Sequence, residues 1–152
     1  MSLPKTILVP TDFSEFADHA LDYAIALASE LGARVHVVHA LTIPELGVPE
    51  LGVALISATM ESMVQRGQAA LDKLVASRPS ANLATMLRTG DPRSVILEAA
   101  QELGADLIVM GTHGRRGVTR ALLGSIAEAI VRTAPCPVLT VRGRDHQDQR
   151  AG

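Results

Sequence analysis

Thr6-Ile7-Leu8-Val9, near the start of the chain, is the stretch from which the fold can be worked out. Its residues are all β-branched or aliphatic, which is typical of a strand buried on both faces of a parallel sheet, and Pro10 ends the run. Apolar residues then recur at helical spacing over 17–31, with Ser14 as the predicted N-cap and Gly32 after the last turn. A strand followed directly by an amphipathic helix is half of a βαβ unit.

The same alternation continues along the chain. Short apolar strands and longer helical patterns take turns, and no linker divides them. The pattern predicts an α/β fold: a doubly wound, three-layer sandwich with five parallel strands and helices on both faces, in one domain over residues 1–143 with a polar, flexible tail over 144–152. The further elements predicted are strands over 35–40, 82–88, 106–110 and 138–141, and helices ending near Ser77 and spanning 91–104 and 125–133.

Composition excludes several classes of protein. Of the 152 residues, 47% are apolar, 20% charged and 2% aromatic, so the core must be aliphatic. A formal net charge of −2 argues against nucleic-acid coating and against a polybasic membrane anchor, since both need a positive excess. The lone Cys136 excludes an internal disulfide, and the N-terminus has no apolar signal core. We expect a soluble cytoplasmic protein.

The loop after the fourth strand concentrates glycine and arginine. Residues 111–125 read GTHGRRGVTRALLGS, with three glycines within seven residues and three arginines but no carboxylate. Glycine lets the backbone approach a ligand closely, the arginines provide a local positive field, and the helix start after Gly124 offers free N–H groups to an anion. The loop therefore indicates a phosphate site. The alternative is purely structural, because Ser125-Ile126-Ala127-Glu128 also matches a capping box.

Neither common nucleotide signature is present. The chain has no GxxxxGK[ST], and no GxGxxG follows the first strand. That strand instead ends in Pro10-Thr11-Asp12, which the switch-point rule for open α/β sheets places opposite the glycine loop. The Asp12 carboxylate could accept hydrogen bonds from a ribose hydroxyl or an adenine amine. Its simpler role is to cap the first helix, three residues before Glu15.

A tandem pentapeptide follows the second strand. Pro44-Glu45-Leu46-Gly47-Val48 is copied at once over residues 49–53. Five residues are too few for a solenoid unit, so we interpret the repeat as a lengthened loop. A binding role of its own is the alternative.

Four short segments resemble the universal stress protein family. They are the spacing Gly111-x2-Gly114-x9-Gly124-Ser125, the turn PTDFS at 10–14, GDP at 90–92 and APCPV at 134–138. The resemblance covers roughly residues 5–142, and G-x2-G-x9-G-[S/T] marks the ATP-binding branch of the family. It implies a five-stranded Rossmann-like sandwich with the strand order 3-2-1-4-5. It also implies a protein, usually a homodimer, that binds ATP and acts in stress tolerance or signalling.

The resemblance also implies a set of binding residues. Pro10, Thr11 and Asp12 would hold the adenosine end of ATP, with the backbone of Ala40 beside the adenine. Magnesium would accompany the phosphates, with Asp12 as the nearest carboxylate. The residues implied along the ribose and phosphates are Met110, Gly111, His113, Gly114, Arg115, Arg116, Gly124, Ser125, Ile126 and Ala127.

These features predict an ATP-binding regulatory dimer rather than an efficient enzyme. No nucleophile with an adjacent base and no paired carboxylates stand near the phosphate loop, so no catalytic residue is assigned. Pro137 suits an edge strand, and the bare edge of Val138–Val141 is where a second copy would pair. The alternatives are a slow ATP hydrolase or autophosphorylating enzyme, and a nucleotide-free interaction module.

Overall fold

The structure is a computed structural model that describes residues 2–43, 52–113 and 123–143. Strands and helices alternate from the first element to the last within these ranges, as the sequence predicts. In chain order they are β1 (Thr6–Pro10), α1 (Glu15–Leu31), β2 (Arg34–Leu41), α2 (Gly52–Ala76), β3 (Leu83–Thr89), α3 (Pro92–Leu103), β4 (Leu107–Gly111), α4 (Ser125–Thr133) and β5 (Val138–Val141).

The strands form one parallel sheet in the order β3-β2-β1-β4-β5. The central position of β1 explains its composition, because a strand with neighbours on both edges and helices on both faces meets no water. Ile7, Leu8 and Val9 are accordingly 0% exposed. The predicted fold class and strand order are both confirmed.

Two aliphatic cores lie on opposite faces of the sheet. Alternate residues of β1 divide between them: Ile7 and Val9 pack with α1 and α2, and Leu8 packs with α3 and α4. Ile130 of α4 is completely buried in the second core. The three-layer sandwich predicted from the sequence is therefore present, with two helices on each face.

Local signals at the ends of α1 and α3 also act as the sequence predicts. The Ser14 hydroxyl accepts a hydrogen bond from the backbone N–H of Ala17 at 3.2 Å, and Gly32 ends α1 in the left-handed conformation at φ 65°. The Asp91 carboxylate caps α3, and Gly104 ends it at φ 59°.

Helix α2 departs from its predicted apolar face. Leu71 and Leu74 are buried against the sheet, but Val64, predicted on the same face, is 43% exposed. The 25-residue helix is about 37 Å long, whereas the seven-residue strand β3 extends about 23 Å, so the sheet covers only part of the helix.

The duplicated pentapeptide falls mainly outside the described residues. Its second copy ends at Gly52 and Val53, and α2 begins at Gly52. The interpretation of the whole repeat as a loop is therefore wrong for these two residues. Residues 144–152, predicted as a polar tail, also lie outside the described part of the chain.

Strand β5 forms one edge of the sheet and pairs in parallel with β4. The backbone carbonyl of Pro137, just before it, accepts a hydrogen bond from the N–H of Ile108 at 3.0 Å. Within the three described ranges, no helix has the length and apolar character needed to cross a membrane.

Candidate functional site

The crevice at the switch point lies between β1 and β4. From β1 the chain leads through α1 to β2 on one side, whereas β4 leads through α4 to β5 on the other. Ladder pairing between these neighbours covers Ile7 with Leu107 and Leu8 with Ile108, yet β1 continues to Pro10 and β4 to Gly111. The carboxyl ends of the two strands therefore extend beyond their shared ladder, which is where open α/β sheets bind ligands.

Thr11 fixes the β1 side of this crevice. It is 6% exposed, and its backbone N–H donates to the carbonyl of Val38 at 2.9 Å, which extends the β1–β2 ladder past Pro10. Its hydroxyl accepts a hydrogen bond from the backbone N–H of Phe13 at 3.0 Å. The turn after β1 is therefore held by both the backbone and the side chain of Thr11.

The next residues form a tight turn that presents Asp12. Its Oδ1 atom accepts a hydrogen bond from the backbone N–H of Ser14 at 3.0 Å, so Asp12 orders the turn while Ser14 caps α1. The suggestion that Asp12 itself caps the helix is wrong. Phe13 has φ 63°, a conformation that costs a non-glycine residue on the order of 1–3 kcal/mol and needs support from its surroundings.

His39 of β2 provides part of that support. Its Nδ1 atom lies 2.7 Å from the backbone carbonyl oxygen of Thr11, and its ring centroid lies 4.5 Å from that of Phe13. Ala40, the next residue, is half-buried and packs against the core on the α3 and α4 face. Pro10 and Thr11 thus adjoin Val38 through the β1–β2 ladder, and Ala40 stands two residues further along β2.

The β4 side is closely packed around Gly111. A Cβ atom at this position would lie 3.0 Å from the backbone oxygen of Phe16 in α1, so only glycine fits without a shift of the backbone. Met110 is 6% exposed with its side chain in the core, which leaves its backbone as the part that can face the crevice. Thr112 is buried and donates its N–H to Val141.

Helix α4 begins at the same place. The backbone N–H of Gly124 donates to the carbonyl of Thr112 at 2.7 Å, which fixes the helix start against the end of β4. Gly124 is the N-cap and brings no side-chain hydrogen bond, whereas Ser125 is the first helical residue and is exposed. The capping-box alternative for Ser125 is therefore wrong, because its hydroxyl lies one residue too late.

The first turn of α4 presents mainly its backbone. Ala127 is buried, and Ile126 is half-buried against the same core, so both side chains point away from solvent. The first N–H groups of an α-helix have no partner within the helix, and they carry its partial positive charge. With glycine at the cap, this helix start has the chemistry of an anion site.

His113 lies beside that helix start. Its Nδ1 atom is 3.0 Å from the hydroxyl oxygen of Thr112, and its ring centroid is 6.0 Å from that of Phe16. Its Nε2 atom is buried and has no hydrogen-bond partner among the residues that the structure describes. A buried polar atom without a partner is costly, so it marks a place where a ligand atom would be stabilising.

Part of the predicted site falls outside the described residues. Gly114, Arg115 and Arg116 belong to the segment 114–122, so the arginine contribution to the site stays a prediction. Among the described residues, no group of three His, Cys, Asp or Glu side chains could hold a metal ion.

Cys136 lies just before β5, at the amino end of that strand, whereas the crevice lies at the carboxyl ends of the strands. It is half-buried against the α3 and α4 core, and burial, together with the charge of Asp106, raises the pKa of its thiol. A raised pKa disfavours the reactive thiolate, so packing is the role that the structure supports.

Two residues of the site escape the sequence analysis. Thr112 connects β4, β5 and α4, and His39 bonds to the turn after β1, yet neither appears among the predicted contacts. Their signal is positional. Thr112 stands between two predicted site residues, and His39 directly precedes Ala40 in a strand adjacent to β1.

Comparison with known proteins agrees with this architecture. The family model described as the universal stress protein family matches residues 4–142. A universal stress protein of Methanocaldococcus jannaschii is 39% identical over 145 residues, which cover 93% of this chain and 84% of that protein.

Solved structures show the same likeness. The universal stress protein UspA from Lactobacillus plantarum superposes with a TM-score of 0.79 at 27% identity, covering 93% of this chain and 100% of that one. A universal stress protein in complex with cAMP has a TM-score of 0.61 at 26% identity, covering 92% of this chain and 98% of that one. The match runs along nearly the whole sequence, and the strand order and the crevice between β1 and β4 agree with it. The chain therefore belongs to the universal stress protein family.

Proposed function

We propose that this protein binds an adenine nucleotide, with ATP as the expected ligand, in the crevice between β1 and β4, and that it acts as a nucleotide-dependent regulatory dimer in the stress response. The observation that carries the proposal is the start of α4. Gly124 leaves its first N–H groups without a side-chain cap, at the point where β4 ends. Phosphate is the ligand group that such a helix start favours.

The β1 side supplies the complementary end of the site. Thr11 and Asp12 are held in a defined turn by hydrogen bonds, and the carboxylate oxygens of Asp12 are acceptors for ribose hydroxyl or adenine amine donors. Ala40 stands beyond the end of the ladder that joins β1 to β2. Adenosine would lie over these residues, with its phosphates directed towards α4.

His113 supports the same orientation. If the Thr112 hydroxyl donates to Nδ1, the ring hydrogen resides on Nε2, which then donates to an acceptor in the crevice. A phosphate or ribose oxygen of the nucleotide is such an acceptor. Ligand binding would thereby give the buried Nε2 atom its partner.

The known relatives support the ligand class. One solved universal stress protein was obtained in complex with cAMP. That nucleotide shares the adenine, ribose and phosphate groups that the present crevice would bind. We further propose ATP as the nucleotide, because the spacing Gly111-x2-Gly114-x9-Gly124-Ser125 resembles that of the ATP-binding branch of the family. Magnesium would accompany its phosphates.

The regulatory role, the dimer and the cytoplasmic location complete the proposal. Pairing of two copies through the edge strand β5 would bring two crevices into one particle, because β4 is the immediate neighbour of β5. Bound nucleotide would then act on the dimer surface through Thr112, whose N–H already bonds to Val141. Turnover of ATP is not part of this proposal.

The test is to purify the protein without added nucleotide, denature it, and identify released small molecules by chromatography and mass spectrometry. ATP or ADP near one per chain supports the proposal. An empty protein is then titrated with ATP and magnesium in a calorimeter. Absence of bound nucleotide together with absence of a binding signal would overturn the proposal and favour a nucleotide-free interaction module.

A further inference from the structure

We infer that His39 is a positioning residue for the nucleotide site: it fixes the turn over residues 10–14 and so sets where Asp12 meets the adenosine. The inference rests on the proposed function for its ligand. It concerns a strand residue whose side chain the site does not otherwise use. Two contacts of the His39 side chain and its position in β2 carry it.

The first contact is the hydrogen bond to Thr11. A carbonyl oxygen can only accept, so the hydrogen of this 2.7 Å bond must reside on Nδ1 of His39. The N–H of the same residue, Thr11, donates to the carbonyl of Val38 at 2.9 Å. Two consecutive residues of β2 therefore hold both backbone polar groups of Thr11.

The second contact is the ring of Phe13. Its centroid lies 4.5 Å from that of His39, with the ring planes at 50°. Tilted aromatic pairs at this distance attract each other. Phe13 is the one non-glycine residue of the described chain with positive φ, and its N–H bonds to the Thr11 hydroxyl. The ring contact thus acts on the residue whose backbone most needs external support.

The third observation is the position of His39 in the sequence. His39 directly precedes Ala40, whose backbone the proposed site places beside the adenine. The imidazole reaches from this strand to the turn that carries Asp12, and Asp12 in turn accepts from the N–H of Ser14. His39 therefore joins the two predicted adenosine-side segments in one arrangement.

The position of His39 explains why substitutions there should act on the adenosine end. His36 lies three residues earlier in the same strand, so the two imidazoles point to opposite faces of the sheet. Phe13 packs against the core on the α1 and α2 face. His36 is a matched control, because it is also half-buried but lies on the other face.

The experiment compares His39→Leu, which removes the donor, with His39→Asn, whose amide nitrogen can take the place of Nδ1. His36→Leu is the control. Two quantities are measured on the full chain: the Kd values for ATP and AMP by calorimetry, and the hydrogen-exchange rates of the Phe13 and Ser14 amides. Thermal melting checks that each variant is folded.

We expect His39→Leu to exchange both amides faster and to bind ATP about tenfold more weakly, the effect of losing one hydrogen bond. AMP affinity should fall by the same factor, because the defect lies at the adenosine end. His39→Asn should bind more tightly than His39→Leu, and His36→Leu should match the wild type.

Three results would overturn the inference: unchanged exchange in His39→Leu, faster exchange with unchanged ATP affinity, or no rescue by His39→Asn. Failure of the proposed function looks different, since the wild-type protein itself would then bind no nucleotide. In that case His39 has no role in binding, and the exchange rates still decide whether it fixes the turn.

Discussion

Helices α1 and α4 both begin at the crevice between β1 and β4, yet their first turns are chemically different. At α1, the hydroxyl of Ser14 accepts from the N–H of Ala17, and the first turn carries two acidic residues, Glu15 and Asp18. At α4, the cap is Gly124, and no side chain of the described residues caps the first turn. The one acidic residue of that turn, Glu128, pairs with Arg132 at 2.8 Å.

A helix that begins at the switch point is therefore not by itself an anion site. The start of α1 is closed by its own chain and is electrostatically unfavourable for a phosphate. The start of α4 has no side-chain cap among the described residues, so its first N–H groups can donate to a ligand with little opposing charge. The phosphate end of a nucleotide should therefore bind at α4, and the adenosine end should lie towards the turn before α1.

The largest effect is expected when a side chain caps the first turn of α4, as Ser14 caps the first turn of α1. Gly124→Asp places an acceptor and a negative charge at the cap, and we expect nucleotide affinity to fall about a hundredfold or more, since like charges in contact cost several kcal/mol. Calorimetry with ATP measures the loss. Gly124→Ala is the control, because it adds the same Cβ, 3.1 Å from the carbonyl oxygen of Thr112, without the charge. Equal losses in the two variants would mean that crowding, not the open donors, decides binding.

How far the sequence predicts the molecule depends on the range of the interaction. The five strands and the caps Ser14 and Asp91 follow from patterns within a few residues, and all are correct. The predicted cap of α4, Ser125, is wrong by one residue, because the hydrogen bond from the Gly124 N–H to the Thr112 carbonyl fixes where the helix starts.

Long-range contacts lie beyond such patterns. The bond from His39 to Thr11 joins residues 28 positions apart, and the positive φ of Phe13 follows from tertiary packing rather than from any glycine or asparagine signal. The candidate site was therefore predictable as a set of segments. Its geometry was not, because it depends on how the strand ends meet.

The β1 side is tested by Asp12→Asn. The amide keeps an oxygen to accept from the N–H of Ser14 but loses the charge, so we expect nucleotide affinity to fall about tenfold with little change in stability. Asp91→Asn is the matched control, because Asp91 also accepts local backbone hydrogen bonds, as the cap of α3, but follows β3, which is separated from β1 and β4 in the sheet by β2. A loss of affinity in both variants, or in neither, would contradict the role given to Asp12.

Two serines test whether the two helix starts differ in capping: Ser14 at α1 and Ser125 at α4. Ser14→Ala removes a cap and should lower the free energy of unfolding by about 1 kcal/mol. Ser125→Ala removes no cap and should leave stability unchanged while weakening ATP binding about threefold to tenfold, as for one neutral hydrogen bond. Denaturant unfolding and calorimetry separate the effects. A destabilised Ser125→Ala variant would show that α4 is capped by its own side chain after all.

The smallest effect is expected at the amino ends of β1 and β4, opposite the crevice. The Asp106 carboxylate accepts hydrogen bonds from the backbone N–H groups of Lys5 and Thr6, and these bonds hold its pKa below the ordinary value. A lowered folded-state pKa gives stability that is present above the unfolded-state pKa and is lost as pH falls through the folded-state pKa.

Asp106→Ala should therefore be less stable than the wild type near pH 7, and the difference should shrink as the pH falls below about 4. Denaturant unfolding at several pH values measures it. Nucleotide affinity at pH 7 should be unchanged, because Asp106 lies at the amino end of β4 and the crevice lies at the carboxyl end. A pH-independent difference would show that the charge of Asp106 is not what stabilises the amino ends of β1 and β4.

Backbone amide resonances, followed during titration with AMP, ADP and ATP, test directly whether the phosphates bind at the start of α4. We predict that the amides of Ser125, Ile126 and Ala127 shift on binding and shift further with each added phosphate. The Ala17 amide, already bonded to Ser14, should change little. Nucleotide binding that leaves the α4 amides unmoved, or that shifts the start of α1 instead, would contradict the account.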